Sequence, residues 1–76
     1  MAIQVKVRGQ AARFFPEGKD SFTLPWQEAM TVQQLLQSLG VASELVVAVV
    51  NGQRAQLDHC LQDGDSVMFF SPMAGG

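Results

Sequence analysis

A single strong helix signal, with strand-like patterns on both sides, most constrains the fold of this 76-residue chain. Thr31 and Gln34 have the spacing of a capping box, and Met30 and Leu35 occupy the two positions of a hydrophobic staple. The apolar residues of this segment recur at helical spacing and form one stripe: Val32, Leu35, Leu36 and Leu39. Gly40 stands where a left-handed C-terminal cap is usual. The sequence therefore predicts a short helix that begins at Thr31 and packs through one face.

Period-2 patterns predict two strands before the helix. Ile3, Val5 and Val7 alternate with polar residues, as in a strand that buries one face. Residues 21–26 alternate in the same way, and Pro25 confines this second strand to an edge of the sheet or ends it. The intervening residues 10–20 lack a clear period, so we expect a loop there with a turn of helix around 11–15. Its Phe14 and Phe15 are expected to cover an edge of the core.

Three strand segments are predicted after the helix. The β-branched run Leu45–Val50 indicates a central strand. Asn51-Gly52 is a strong hairpin signal and returns the chain through Gln53–Ala55. Asp63-Gly64-Asp65 predicts a turn that leads into a last strand, Ser66–Phe70, in which Val67 and Phe69 share one face while Met68 and Phe70 share the other.

These elements predict an α+β fold of the β-grasp type, a mixed sheet with one main helix packed across one face. The first and last strands are expected to pair in parallel at its centre. The face away from the helix is then open to partners, with Gln4, Lys6, Arg8 and Phe70 as its candidate residues. Pro72 cannot donate to a strand ladder. We therefore expect a domain over residues 1–71 and a flexible C-terminal tail over residues 72–76.

Charge and cysteine usage exclude several classes of function. Five Lys and Arg residues against seven Asp and Glu give a formal net charge of -2. The basic residues are scattered, which argues against nucleic-acid binding through phosphate neutralisation. The lone Cys60 cannot form an internal disulfide, and the chain shows neither a signal-peptide core nor a membrane span. We expect a soluble cytoplasmic protein without a membrane partner.

The side chains that usually carry catalysis are few. The chain has one histidine, His59, and the neighbouring Cys60 is expected to fill the core as a small apolar residue rather than to react. Asp58, Asp63 and Asp65 lack the closing glutamate of a calcium loop and are expected to be turn and cap residues. We therefore predict no metal site and no enzymatic activity of the chain by itself.

The pair Gly75-Gly76 is the strongest chemical signal. Because glycine has no Cβ, two glycines can thread a narrow channel and bring a terminal carboxylate to a nucleotide's α-phosphate or to an acceptor. A carboxylate is a poor acyl donor until it is activated. The pair thus implies an ATP-using partner that adenylates it, whereas the simpler alternative is a frayed end.

Several segments, in this order and spacing, also carry a family resemblance. They are Val49-Val50-Asn51, Leu57-Asp58-His59, Leu61–Asp65 and the ending Phe69-Phe70-Ser71-Pro72-Met73-Ala74-Gly75-Gly76. With them the whole chain resembles the MoaD/ThiS family of ubiquitin-like sulfur carriers, most closely those that are small subunits of molybdopterin synthase.

The resemblance implies a function, partners and sites. Gly76 would be adenylated by a ThiF/MoeB-like adenylyltransferase, which consumes ATP, and converted to a thiocarboxylate with sulfur from a donor system. No cofactor would be bound permanently. The tail would insert into the large subunit of molybdopterin synthase, where sulfur passes to the molybdenum-cofactor precursor and where the catalytic residues belong to that other chain. The tail residues are Pro72, Met73, Ala74 and Gly75, and the partner-binding residues are Arg8, Arg54 and Phe70.

Departures from the family pattern leave alternatives open. Arg8 and Arg54 stand where better-known small subunits have apolar contact residues, and Ser71 and Cys60 stand where proline is frequent. The sulfur acceptor could thus belong to a thiazole, thiolated-tRNA or tungsten-cofactor pathway. A ubiquitin-like protein modifier ligated through Gly76, and a plain β-grasp binding module, are further alternatives.

Overall fold

A five-stranded mixed sheet with an α-helix packed across one face is the architecture of residues 2–72, the part of the chain that the computed structural model describes. In chain order the strands are β1 (Ala2–Val7), β2 (Ser21–Pro25), β3 (Val47–Val50), β4 (Gln53–Ala55) and β5 (Ser66–Phe70), and helix α1 is Val32–Leu39. Their order across the sheet is β2-β1-β5-β3-β4. The predicted β-grasp fold is confirmed.

The first and last strands pair in parallel, as predicted. Gln4 lies opposite Ser66 and Val7 opposite Phe69, whereas the other three strand pairs are antiparallel. Strand β5 is therefore the middle strand, and β2 is an edge strand that tolerates Pro25.

Alternation along the strands places the core between the sheet and α1. Ile3, Val5 and Phe69 are fully buried, and they share one cluster with Leu35 and Leu36 of the helix. The aromatic ring of Phe15 closes one end of this cluster, with its centroid 5.4 Å from that of Phe69. The sequence-based placement of these residues is confirmed.

The caps of α1 also form as the sequence predicts. The Thr31 hydroxyl oxygen accepts a hydrogen bond from the Gln34 amide at 3.2 Å, and the Gln34 side-chain oxygen accepts one from the Thr31 amide at 3.0 Å. Gly40 ends the helix in the left-handed region with φ of 74°. Both helix ends are therefore fixed by local sequence.

Replacing Thr31 with alanine is expected to lower the free energy of unfolding by about 1 kcal/mol, because the cap oxygen is lost and the Gln34 amide is left without it. Gln33→Ala, on the exposed side of the first turn, is the control. Urea unfolding measures both variants. Equal losses in the two would show that the cap contributes nothing specific.

The Asn51-Gly52 turn is tied to the start of β5. Both residues have positive φ, 51° and 84°, as a two-residue hairpin requires. The Asn51 side chain donates to an Asp65 carboxylate oxygen at 2.8 Å and accepts from the Ser66 amide at 3.0 Å. The other Asp65 carboxylate oxygen accepts from the Gln62 amide at 2.8 Å. These bonds confirm that Asp65 is a turn residue.

Two segments differ from the prediction. Strand β3 begins at Val47 rather than Leu45, because Ser43–Leu45 forms a 3₁₀ turn that leaves Leu45 exposed. The predicted loop over residues 10–20 is more ordered than expected, with 3₁₀ turns at Gly9–Phe14 and Pro16–Gly18. Short 3₁₀ turns lack the long periodic pattern that identifies a helix in a sequence.

The prediction that Cys60 fills the core is wrong, since Cys60 is exposed. Its neighbour Leu61 is buried instead, and the Leu61 carbonyl oxygen accepts a hydrogen bond from the Trp26 indole at 2.8 Å. Neighbouring side chains of an extended segment point to opposite sides, so burying Leu61 turns Cys60 outward.

Candidate functional site

The chain leaves the sheet from its middle strand. Strand β5 ends at Phe70, Ser71 is half-buried and Pro72 lies in an exposed turn. Since proline has no N–H group, it cannot extend the ladder. The predicted tail residues Met73, Ala74, Gly75 and Gly76 lie outside the described residues, so their roles stay predictions. The segment that leads to them starts at the centre of the sheet.

An apolar patch lies on the open face, the side of the sheet away from α1. It consists of Val47, Val49, Met68 and Phe70, all half-buried. Val47 lies opposite Phe70 and Val49 opposite Met68 across β3 and β5. Directly opposed residues on adjacent strands are close enough for their side chains to touch. The patch is therefore continuous and adjoins the point where the chain leaves the sheet.

Three exposed cations border this patch and are named here the basic rim: Lys6, Arg8 and Arg54. Lys6 lies opposite Met68, and Arg54 lies opposite Val49. Arg8 follows β1 directly, and its amide donates to the Phe69 carbonyl oxygen at 2.8 Å. The structure thus places the predicted residues Arg8, Arg54 and Phe70 on one face.

Two members of the patch, Val47 and Val49, were not predicted from the sequence, and Met68 was predicted to share the face of Phe70 but was not named as a candidate site residue. An unbroken run of valines gives no alternation, so its outward positions cannot be told from its inward ones. The register with β5 supplies the missing information, because Val49 lies opposite Met68. The outward position of Met68 was itself available from the alternation of β5.

The described residues offer little for catalysis or metal binding. His59 and Cys60 are both exposed, in the segment that precedes Leu61. Nowhere in residues 2–72 do three His, Cys, Asp or Glu side chains gather closely enough to hold a metal ion. No helix within this range is long and apolar enough to cross a membrane. The open face, with its apolar patch and basic rim, is the candidate site among the described residues.

Comparison with known proteins places these features in a family. The sequence model of the ThiS family matches residues 5–76, which includes both terminal glycines. This match covers nearly all of the chain.

Solved structures show the same fold. A protein described as molybdopterin converting factor, subunit 1, from Pyrococcus furiosus is 23% identical with a TM-score of 0.77, over 95% of this chain and 98% of that one. A chain in the complex of subunits 1 and 2 of molybdopterin-converting factor from Helicobacter pylori is 21% identical with a TM-score of 0.62, over the whole of both chains. Small archaeal modifier protein 1 from H. volcanii is 17% identical with a TM-score of 0.74, over 93% of this chain and 97% of that one.

Proposed function

The chain belongs to the ThiS family and is a ubiquitin-like sulfur carrier, and from that premise we propose that Gly76 carries the sulfur as a thiocarboxylate. The observation that carries this proposal is the family match, which runs through Gly75-Gly76. The fold supports it, because β5 delivers the chain to Pro72 from the middle of the sheet, beside the apolar patch. A partner that docks on the open face can therefore reach the segment that follows Pro72.

Activation of Gly76 proceeds in two steps. The terminal carboxylate attacks the α-phosphorus of ATP, the bond to pyrophosphate breaks, and an acyl-adenylate forms. A hydrosulfide equivalent from the sulfur donor system then attacks the acyl carbon, and AMP leaves with the electron pair of the broken C–O bond. The product is the thiocarboxylate. Glycine at positions 75 and 76 keeps the acyl carbon accessible to both attacks.

The chain acts in this scheme as a substrate for other enzymes. A ThiF/MoeB-like adenylyltransferase supplies the ATP site and the catalytic groups, and the chain holds no permanent cofactor. The cytoplasm suits the scheme, since ATP is available there and thiols stay reduced.

The large subunit of molybdopterin synthase is the proposed sulfur-accepting partner. The H. pylori chain of similar fold belongs to a complex of subunits 1 and 2 of molybdopterin-converting factor. In the corresponding complex of this chain, Phe70, Arg8 and Arg54 would contact the partner, while Pro72, Met73, Ala74 and Gly75 would insert with Gly76 at their end. Sulfur would then pass to the molybdenum-cofactor precursor on the large subunit.

Pyrophosphate release tests the activation step. The chain is incubated with ATP and the adenylyltransferase of its own organism, and we expect release above that of the enzyme alone. A chain with one alanine added after Gly76 is the matched control, because it keeps the open face but displaces the carboxylate. Release that is equal with and without the chain would contradict the proposal.

The basic rim favours a second candidate, sulfur delivery to another acceptor. Arg8 and Arg54 are exposed at the edge of the apolar patch. At these two positions the resemblance to molybdopterin synthase small subunits implies apolar contact residues instead. A thiazole, tRNA-thiolation or tungsten-cofactor pathway would use the same activation chemistry. Rescue of a strain that lacks its molybdopterin carrier separates the two candidates. Gly-Gly remnants on lysines in a lysate digest would instead identify a protein modifier.

A further inference from the structure

The charge on the sheet has a single sign. Within residues 2–72, the charged side chains that lie in strands are Lys6 of β1 and Arg54 of β4, and Arg8 follows β1 directly. All three belong to the open face, although the chain as a whole has a net charge of -2. The open face is therefore basic on a protein that is acidic overall.

The carboxylates lie in turns and loops outside the strands. They are Glu17, Asp20, Glu28, Glu44, Asp58, Asp63 and Asp65. Glu17 pairs with Lys19 at 3.3 Å, Asp63 accepts from the Ala2 amide at 2.9 Å, and Asp65 is buried in its turn. No carboxylate among residues 2–72 lies within salt-bridge distance of the basic rim. Within this part of the chain, the rim cations therefore have no ion-pair partner of their own.

The apolar patch at the centre of the open face would fit an apolar area on the surface of a partner. Val47, Val49, Met68 and Phe70 are half-buried and do not belong to the core cluster on the other side of the sheet. Protein interfaces combine an apolar centre with a polar rim, and complementary charges steer the encounter. Arginine at two of the three rim positions suits carboxylates, which it can bind through two parallel hydrogen bonds.

We infer that the open face selects a protein partner whose docking surface has an apolar centre bordered by carboxylates opposite Lys6, Arg8 and Arg54. The inference rests on the proposed function, in which an adenylyltransferase activates Gly76, and it commits to that enzyme as the partner that docks on the open face. It adds that the partner surface is negatively charged. In this view the basic rim speeds association with the partner and takes no part in the chemistry at Gly76.

Other occupants fit the face less well. In a symmetric dimer of this chain through the open face, the two basic rims would meet and repel each other. Nucleic acid or an anionic membrane would satisfy the cations, but phosphates would then lie against the apolar patch. The half-buried side chains of Phe70 and Met68 lie between the rim cations, and they favour a folded protein as the occupant of the open face.

Charge reversal on and off the rim tests the inference. Lys6→Glu reverses the charge of a rim cation. Lys19→Glu makes the same change at an exposed lysine away from the rim. Lys19 lies on the helix side of the sheet and lines a groove with Phe22 and Leu39. Arg54→Glu is the second rim variant, and Lys6→Gln removes charge without reversing it. Thermal unfolding of each full-length variant verifies that it is folded.

Stopped-flow association with the adenylyltransferase, at low and at physiological salt, is the measurement. We expect Lys6→Glu and Arg54→Glu to slow association about tenfold or more at low salt, with a smaller difference at higher salt as the charges are screened. Lys6→Gln should fall between wild type and Lys6→Glu, and Lys19→Glu should stay close to wild type.

Equal association rates for Lys6→Glu and Lys19→Glu would overturn the inference. Two other results would also overturn it, if Lys6→Glu leaves the rate of association with the enzyme unchanged. One is that the wild type binds phosphatidylserine vesicles and Lys6→Glu does not. The other is that the wild type forms a dimer and Lys6→Glu does not. Sulfur loading of the wild type in the same samples separates the two claims. If the wild type is loaded with sulfur but Lys6→Glu and Lys19→Glu associate at equal rates, only the charge inference is refuted. If the rim variants associate more slowly but the wild type is not loaded with sulfur, only the proposed role of Gly76 is refuted.

Discussion

Replacing Phe69 with alanine is expected to lower the free energy of unfolding by about 3–5 kcal/mol. Phe69 is fully buried in the middle strand, between Val7 of β1 and Ala48 of β3, and its ring packs against Phe15. Domains have a total stability of about 0.05–0.15 kcal/mol per residue, so this loss removes a large part of what a small domain has. Urea unfolding of the variant measures it.

Phe70→Ala, at the next residue, is the matched control. Phe70 lies on the opposite face and is half-buried, so we expect a much smaller loss of stability. Its binding to the adenylyltransferase should weaken by at least about 2 kcal/mol of binding free energy, as for an aromatic interface hot spot. Equal destabilisation by the two variants would contradict the assignment of faces. An unchanged affinity of Phe70→Ala would remove Phe70 from the docking surface.

Deleting Gly76 is expected to abolish sulfur transfer while leaving the fold intact. The variant ends in Gly75, so its carboxylate falls one residue short of the adenylyltransferase's ATP. The described core contacts all lie within residues 3–69, so the unfolding temperature should not change. Sulfur transfer to the acceptor and thermal unfolding are measured on the same preparation.

A deletion variant that keeps full activity would contradict the carrier role. It would favour the alternative of a plain β-grasp binding module, in which the terminal glycines have no chemical role. Loss of both activity and fold would instead show that the segment after Pro72 contributes to stability, which the sheet-centred core does not predict.

Local rules were enough to predict most of the fold. The Thr31 cap, the left-handed Gly40 and the Asn51-Gly52 turn each depend on residues within a few positions of one another. Such short-range interactions leave a direct mark on the sequence. The parallel pairing of β1 and β5 followed from the small number of ways to connect these elements.

The errors arose where local patterns were ambiguous. The valines of β3 are apolar on both faces, so the sequence could not show that Val47 and Val49 point away from the core. Cys60 and Leu61 are both apolar neighbours, and only one of them can face inward from an extended segment. Tertiary packing selected Leu61, which is larger and buries more apolar surface.

The candidate site, too, could be predicted from the sequence only in part. Alternation along β1 and β5 predicted the outward positions of Arg8 and Phe70, whereas the continuity of the apolar patch depends on the strand register. The proposed role of Gly76 rests on the glycine pair and on the family match. Its chemistry therefore requires a measurement on the chain itself.

The intact mass of the loaded chain tests the sulfur-carrier account most directly. The purified protein is incubated with ATP, its adenylyltransferase and a sulfur source, and then weighed by mass spectrometry. We predict a mass gain equal to the exchange of one oxygen for one sulfur atom, located by fragmentation at Gly76. An unchanged mass under conditions in which the enzyme turns over ATP would contradict the account.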